Sequence, residues 1–333
     1  MTTSETLYFV SQQLNIYWGL TMFILGIIGA IWNILTFHHH TLRSSSYCTY
    51  LRFASVASLI QILFSLSDRI IYAGFDIPWT ATNVAWCKIR YFSAHCTSLN
   101  ALSFLVFSAI DRFFSTCDEI KWRRLNCASV AKRVCIFTIV FWTILTIPTL
   151  VYAKPVQIKL NRYSCENTSW IWSQIAVFFF SLCCYGIFPW FFMSLFGFLT
   201  WKNLRRIHHR RICIASSGIV TRKARIDDQL ASMLFLQIFI CILSSIPFCS
   251  QNIYSSVTRT MDKTELRQAQ EYLYLQIARL AFYFNYISTF YVNYLSSAIF
   301  RQVSRQVLRN LFKNKENLSR QATMVNHQEP RTQ

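Results

Sequence analysis

The chain has 333 residues and a formal charge of +19, yet only 14% of its residues are charged, while 53% are hydrophobic and 17% aromatic. Soluble domains carry about a quarter charged residues, so this composition excludes one and fits a polytopic helical membrane protein. The positive charge does not indicate nucleic acid, because Lys and Arg cluster in alternate polar loops, as on the inner face of a membrane, where they also meet anionic lipid.

In chain order, residues 1–14 are polar, with Glu5 and no Lys or Arg, and show no basic segment with a cleavage site. They are expected to form a short extracellular N-terminus. The first apolar span, 16–37, is followed by His38, His39, His40 and Arg43, which places the N-terminus outside. Asn33 lies deep in this span, where an amide needs a partner on a neighbouring helix. The histidine run is expected to be a solvated interfacial turn. A second span, 47–72, contains Ser58 and, near its outer end, Asp68 and Arg69, which either pair structurally or line a pocket. Trp79 and Trp86 then mark an interface.

The third span runs from Cys87 to Asp111, broken only by Lys88 and Arg90 near its start. As a helix it is about 36 Å long, enough to put Cys87 at one membrane face and Asp111-Arg112 at the other. A charged pair at that depth needs partners. The loop 116–133 holds Lys121, Arg123, Arg124, Lys132 and Arg133 and so lies inside. Span four, 134–153, carries Trp142 and Pro148, and the loop 153–170 returns outside with Cys165 and an Asn167-Thr168-Ser169 glycosylation sequon.

Span five, 171–201, carries Pro189, and the loop after it is strongly basic until Asp227 and Asp228. Span six, 229–253, contains Pro247. Asp227 precedes that proline by about 30 Å of helix, at the inner edge. Span seven, 271–297, places Arg279 about two turns from its outer end, either snorkelling to the interface or anchoring an acidic ligand group. Residues 299–312 form an amphipathic stretch with Phe300, Val303, Val307, Leu308, Leu311 and Phe312 on one stripe, suited to the inner leaflet. Residues 313–333 are polar and expected to be disordered. The expected fold is all-α: a seven-transmembrane helix bundle over 15–298 with a short amphipathic helix after it.

No catalytic constellation is present: there is no Gly-rich phosphate loop, no Ser/His/Asp set at one depth and no His-Glu-x-x-His. An enzyme is not expected, and no cofactor is implied. Most cysteines, including Cys135, Cys183, Cys184 and Cys241, sit in apolar runs as small hydrophobes, and no Cys-x-x-Cys pair occurs, so no metal is expected. A transporter is the rival class, but repeated halves and Gly/Pro-broken spans are missing. Residues 271–298 contain no lysine for a retinal Schiff base.

A cysteine, a long apolar helix and then Asp111-Arg112-Phe113 before a basic loop resembles the third helix of rhodopsin-like G-protein-coupled receptors, whose motif is Asp/Glu-Arg-Tyr. The resemblance extends from Asn33, the family's helix-one asparagine, through Trp142, Pro189 and Pro247 to Tyr294 and Phe300. It implies a plasma-membrane receptor that binds an extracellular ligand and activates a heterotrimeric G protein. Arg112 would pair with Asp111 and Asp227 at rest. Cys87 and Cys165, both on the outer face, would form a disulfide. The pocket implied lies among Tyr91, Ala94, His95, Ser98, Asp68 and Arg279. Ala94 stands where amine receptors carry an aspartate, and the outer loop 153–170 is long enough to form a hairpin over the mouth, so a short peptide is the ligand expected.

Besides the mild Tyr-to-Phe change at Phe113, the chain departs from the family at four places. Ser58 replaces the aspartate that helps hold sodium, so no sodium site of the usual kind is expected. Gly197 replaces a tyrosine of span five, Ser245 replaces the tryptophan before Pro247, and Phe290-Tyr291 replace Asn-Pro before Tyr294. A non-coupling membrane scaffold is the alternative these changes leave open.

Overall fold

The computed structural model describes the backbone of residues 2–159, 162–214 and 222–327, with side chains for 2–157, 163–207 and 229–313. Helix α1 (Thr3–His38) opens with a capping box, in which Thr2 accepts from the Glu5 amide and the Glu5 carboxylate accepts from the Thr2 amide at 2.8 Å. Residues 3–14, expected as part of a polar tail, are therefore helical. Gln12 Nε2 donates to the Gly74 carbonyl at 2.9 Å, and just beyond this segment Asn15 Nδ2 donates to Gln276 Oε1 at 3.0 Å. Pairing of this kind between polar side chains is not marked by hydropathy, and the helix starts before the apolar span.

Helices α2 (Ser46–Gly74), α3 (Val84–Thr116) and α4 (Ala128–Tyr152) follow. Two stretches of α2, Ile62–Leu66 and Ile70–Gly74, are wound with i→i+5 hydrogen bonds. Each wide turn carries an extra residue and shifts the face presented beyond it. Asp68 and Arg69, which lie between them, are both buried. Helix α5 is continuous from Trp170–Gln174 through a wide-turn stretch, Ile175–Ile187, into Phe188–Ile214. The wide turns end beside Pro189, which has no backbone N–H to give. Helices α6 (Arg222–Val257), α7 (Glu265–Ser296) and α8 (Ala298–His327) complete the long helices, and short helical turns at Trp79–Thr82 and Ile120–Leu125 flank α3.

Among the described residues six helices, α1 to α6, are long and apolar enough to cross a membrane. Helix α7 has the length, at 32 residues, but its tyrosines at 272, 274, 283, 286, 291 and 294 and its amides lower its apolarity. Those amides, Gln276, Asn285 and Asn293, are buried within the bundle, where α7 packs on α1 and α6 as the seventh member. Asn33 Oδ1 accepts from Asn293 Nδ2 at 3.2 Å, so the deep asparagine of α1 does find its partner helix. The close approach of α1 needs Gly26, where a Cβ would lie 2.8 Å from Ile62 Cδ1 and 3.0 Å from Ile287 Cγ1. Helix α3 is the most buried of the apolar spans and packs on α2, α4 and α5.

Among the described residues the fold departs from helix in one hairpin, β1 (Ala153–Lys159) and β2 (Arg162–Asn167), paired antiparallel with Pro155 opposite Cys165. At the other end of the bundle, Phe300 of α8 packs against Phe37 and Phe290, with ring centroids 5.2 and 6.0 Å away. Arg301 Nη1 donates to the carbonyls of Tyr294 and Leu295 at 2.9 and 2.8 Å, capping α7. Helix α8 runs through His327, so residues 313–327 are helical rather than disordered. They contain no Gly or Pro to break a helix. Residues 328–333 lie outside the described set.

Candidate functional site

Helix α3 carries a site at each end. At the hairpin end a cavity of about 320 Å³ opens between α2, α3, α5, α6 and α7. Strand β2 roofs it. Cys165 is joined to Cys87 of α3 by a disulfide, with Cα atoms 5.8 Å apart. Tyr91 Oη donates to the Cys165 carbonyl at 2.7 Å, and Tyr72 Oη to the Tyr163 carbonyl at 2.8 Å. All six residues expected to face a pocket, Asp68, Tyr91, Ala94, His95, Ser98 and Arg279, line this one cavity.

One wall is charged. Asp68, 1% exposed, receives Arg90 Nη1 on Oδ2 at 2.8 Å and Trp86 Nε1 on Oδ1 at 2.8 Å. Asp68 lines the cavity, and its ion pair is made to Arg90 of α3 rather than to adjacent Arg69. Arg69, 8% exposed, donates through Nη2 to Gln276 of α7, while its Nε and that of Arg90 have no hydrogen-bond partner. Arg279 is half-buried, and among the described residues it has no hydrogen-bond or ion-pair partner.

The other wall is aromatic. His95 Nδ1 lies 2.7 Å from Tyr185 Oη, and the two rings stack with planes 6° apart. His95 is therefore a packed histidine as well as a lining one. Phe248 stacks on Phe282 at 4.3 Å beside Tyr185. Asn167, the sequon asparagine, stands half-buried at the rim, and its Oδ1 has no partner.

At the opposite end, Asp111 and Arg112 are each 4% exposed. Arg112 Nη2 donates to Asp111 Oδ2 at 3.2 Å, and its Cζ lies 4.7 Å from the centre of the Tyr47 ring. The same carboxylate oxygen accepts from Ser46 Oγ at 2.9 Å and Asn126 Nδ2 at 3.3 Å, and Asn126 Nδ2 also reaches the Asp111 carbonyl at 3.0 Å. Burial costs an ion pair several kcal/mol unless hydrogen bonds supplement it, which these neighbours do. Just beyond the helix, burial, with Glu119 and Asp118 nearby, holds the Cys117 thiol above its usual range, so it stays protonated.

Asp227 lies in α6, but its side chain is outside the described residues. Two residues on, Gln229 Oε1 accepts from the Ile299 amide at 2.9 Å and from Ser297 Oγ at 3.3 Å, tying the start of α6 to the α7–α8 junction. Trp142 Nε1 donates to Ser103 Oγ of α3 at 2.8 Å. Ser245, two residues before the helix-interior Pro247, accepts from Trp190 Nε1 of α5 at 2.7 Å, so an indole does reach this level, from a different helix. Ser58 is buried in α2. Sequence reasoning missed Ser46, Tyr47, Asn126, Gln229 and Trp190. Each acts across helices, and none carries a local pattern. Arg90, a charge near the start of an apolar span, was the one visible signal.

The comparisons agree with this geometry. A stretch of 135 residues, 40% of this chain, is 24% identical to "G-protein coupled receptor 183" of Rattus norvegicus and spans 37% of that relative's length. Residues 28–288 match the model of the 7 transmembrane receptor (rhodopsin family), which covers most of the bundle just described. The chain is a multi-pass membrane protein and belongs to the rhodopsin family of seven-transmembrane receptors.

Proposed function

We propose that this chain is a plasma-membrane receptor, N-terminus and hairpin outside, that binds its ligand in the roofed cavity and activates a heterotrimeric G protein at the Arg112 end. The observation that supports it most is that α3 carries both sites, the cavity wall through Ser98 and the buried pair from Asp111, about 20 Å apart along one helix. A ligand that favours a second arrangement of the bundle shifts the population toward it. In the arrangement described, Arg112 is held by Asp111 and covered by Tyr47, and Gln229 fastens α6. Activation requires releasing both, so that Arg112 meets the G protein. Asp227 is proposed as a further resting partner of Arg112. A cavity of about 320 Å³ is at the small end of ligand sites, roughly 300–1,000 Å³. A short peptide therefore inserts one end.

The test is basal G-protein activation in cells at matched surface levels. Wild type is expected to signal above mock-transfected cells, Arg112→Ala to fall to the mock level, and Asp227→Ala and Gln229→Ala to rise above wild type. Basal signal unchanged by Arg112→Ala would refute coupling through this end. The departures at Ser58, Ser245 and Phe290-Tyr291 favour a second reading, a non-coupling scaffold, which predicts mock-level signal from all four proteins. Asn167 is proposed as a glycan acceptor: glycosidase treatment should increase the gel mobility of wild type and leave Asn167→Gln unmoved, and equal mobility shifts would exclude this site.

A further inference from the structure

The charges lining the cavity do not balance. Arg69, Arg90 and Arg279 present three guanidinium groups, and Asp68 is the one carboxylate among the lining residues, leaving two positive charges in excess. Asp68 is fully committed, with one oxygen held by Arg90 and the other by Trp86. Arg69 is more than nine-tenths buried, lines the cavity, and satisfies only part of its fork on Gln276 while its Nε has no partner. Arg279, further along α7, is within electrostatic reach of Arg69, as is Arg90, so the groups repel one another. Gathering like charges away from water is unfavourable unless an anion completes the site. Facing them are Tyr185, Phe248 and Phe282, which offer an apolar bed.

We infer that the cavity is built for a carboxylate carried on a compact apolar or aromatic body, with the carboxylate between Arg279 and the open edge of Arg69. This rests on the proposed ligand cavity and names the chemistry it selects. The planar fork of arginine matches the two oxygens of a carboxylate, and charge-assisted hydrogen bonds of this type are the strong ones. Arg90 is already spent on Asp68, so its part is to hold that carboxylate away from the other two arginines. The same chemistry is offered by the C-terminal residue of a short peptide and by a small aryl or alkyl acid.

The test uses the full-length receptor in lipid nanodiscs and reads thermal unfolding without any G protein. The probes are N-acetyl-phenylalanine and 3-phenylpropionate, each beside its neutral primary amide at equal concentration. At least one acid is expected to raise the unfolding temperature well above the effect of its amide, the more effective acid identifying peptide end or simple acid as the source. In Arg279→Gln the acid's apparent affinity is expected to fall about tenfold or more, as for loss of a charge-assisted hydrogen bond, while the ligand-free variant unfolds no earlier than wild type. Equal effects of acid and amide on wild type, or no effect of either, would overturn the inference. So would a ligand-free Arg279→Gln that unfolds earlier than wild type, because Arg279 would then be part of the scaffold. Arg279 is less buried than Arg69 and tolerates replacement better, so the result does not depend on a fully buried variant folding. Acid binding without basal coupling would overturn the signalling reading alone, and coupling without acid binding this inference alone.

Discussion

Replacing either Cys87 or Cys165 by serine is expected to remove most of the receptor from the cell surface, and replacing both should do no more harm than replacing one. The disulfide closes a loop of 78 residues that contains α3, α4 and β1. In a free chain a cross-link of that length is worth about 4–5 kcal/mol of loop entropy, and loss of a native disulfide typically costs about 2–5 kcal/mol. Here the membrane already confines both helices, so the lower part of that range applies to the bundle. The hairpin is more exposed to the loss. Beyond the disulfide it is tied down by the tyrosine bonds to Cys165 and Tyr163, and those hydroxyls can be recovered by water. Surface labelling of the two single variants and the double variant measures the effect. Additive losses would show that each thiol has a separate role, and a surface level equal to wild type would show that the roof holds without the bond.

Asp111→Ala is expected to destabilise the Arg112 end by about 3–5 kcal/mol, the usual cost of leaving one member of a buried ion pair without the other. The carboxylate is the common acceptor for Arg112, Ser46 and Asn126, and all three lose it together. Ser46→Ala removes one neutral donor to that carboxylate and should cost about 1 kcal/mol. Thermal unfolding of the purified, ligand-free variants compares the two. The same change takes the Asp111 carboxylate away from Arg112, so basal G-protein activation should rise per surviving receptor. An Asp111→Ala variant as stable as wild type would mean that Tyr47 and the remaining neighbours suffice to hold Arg112.

The two ends of α3 differed in how much the sequence disclosed. Asp111-Arg112 stood out because adjacent charges end a long apolar run, and the resemblance supplied their role. Their partners did not stand out, since Ser46 and Asn126 are ordinary polar residues beside loops and become donors to the Asp111 carboxylate only when α2 and the loop after α3 come together. At the hairpin end the six pocket residues come from three helices, and the resemblance placed them at one depth. Whether Asp68 and Arg69 pair or line a pocket stayed open in the sequence, because adjacent residues of a regular helix point about 100° apart. Two wide-turned stretches, which no residue type in α2 announces, surround the segment where Asp68 and Arg69 are both buried.

Composition and spacing alone determined that the chain crosses a membrane repeatedly, which loops carry the basic charge, and where the buried pair of α3 lies. These follow from the bilayer's thickness and the cost of charge within it, quantities that act on each segment separately. Tertiary structure decided the rest. It extended α1 to Thr3 by pairing polar side chains across helices, and it turned the polar α7 into an inward-facing member of the bundle. It also brought three arginines and one aspartate from three helices to the wall of one cavity. Such features depend on the distance between residues far apart in the chain, and neither periodicity nor hydropathy contains that distance.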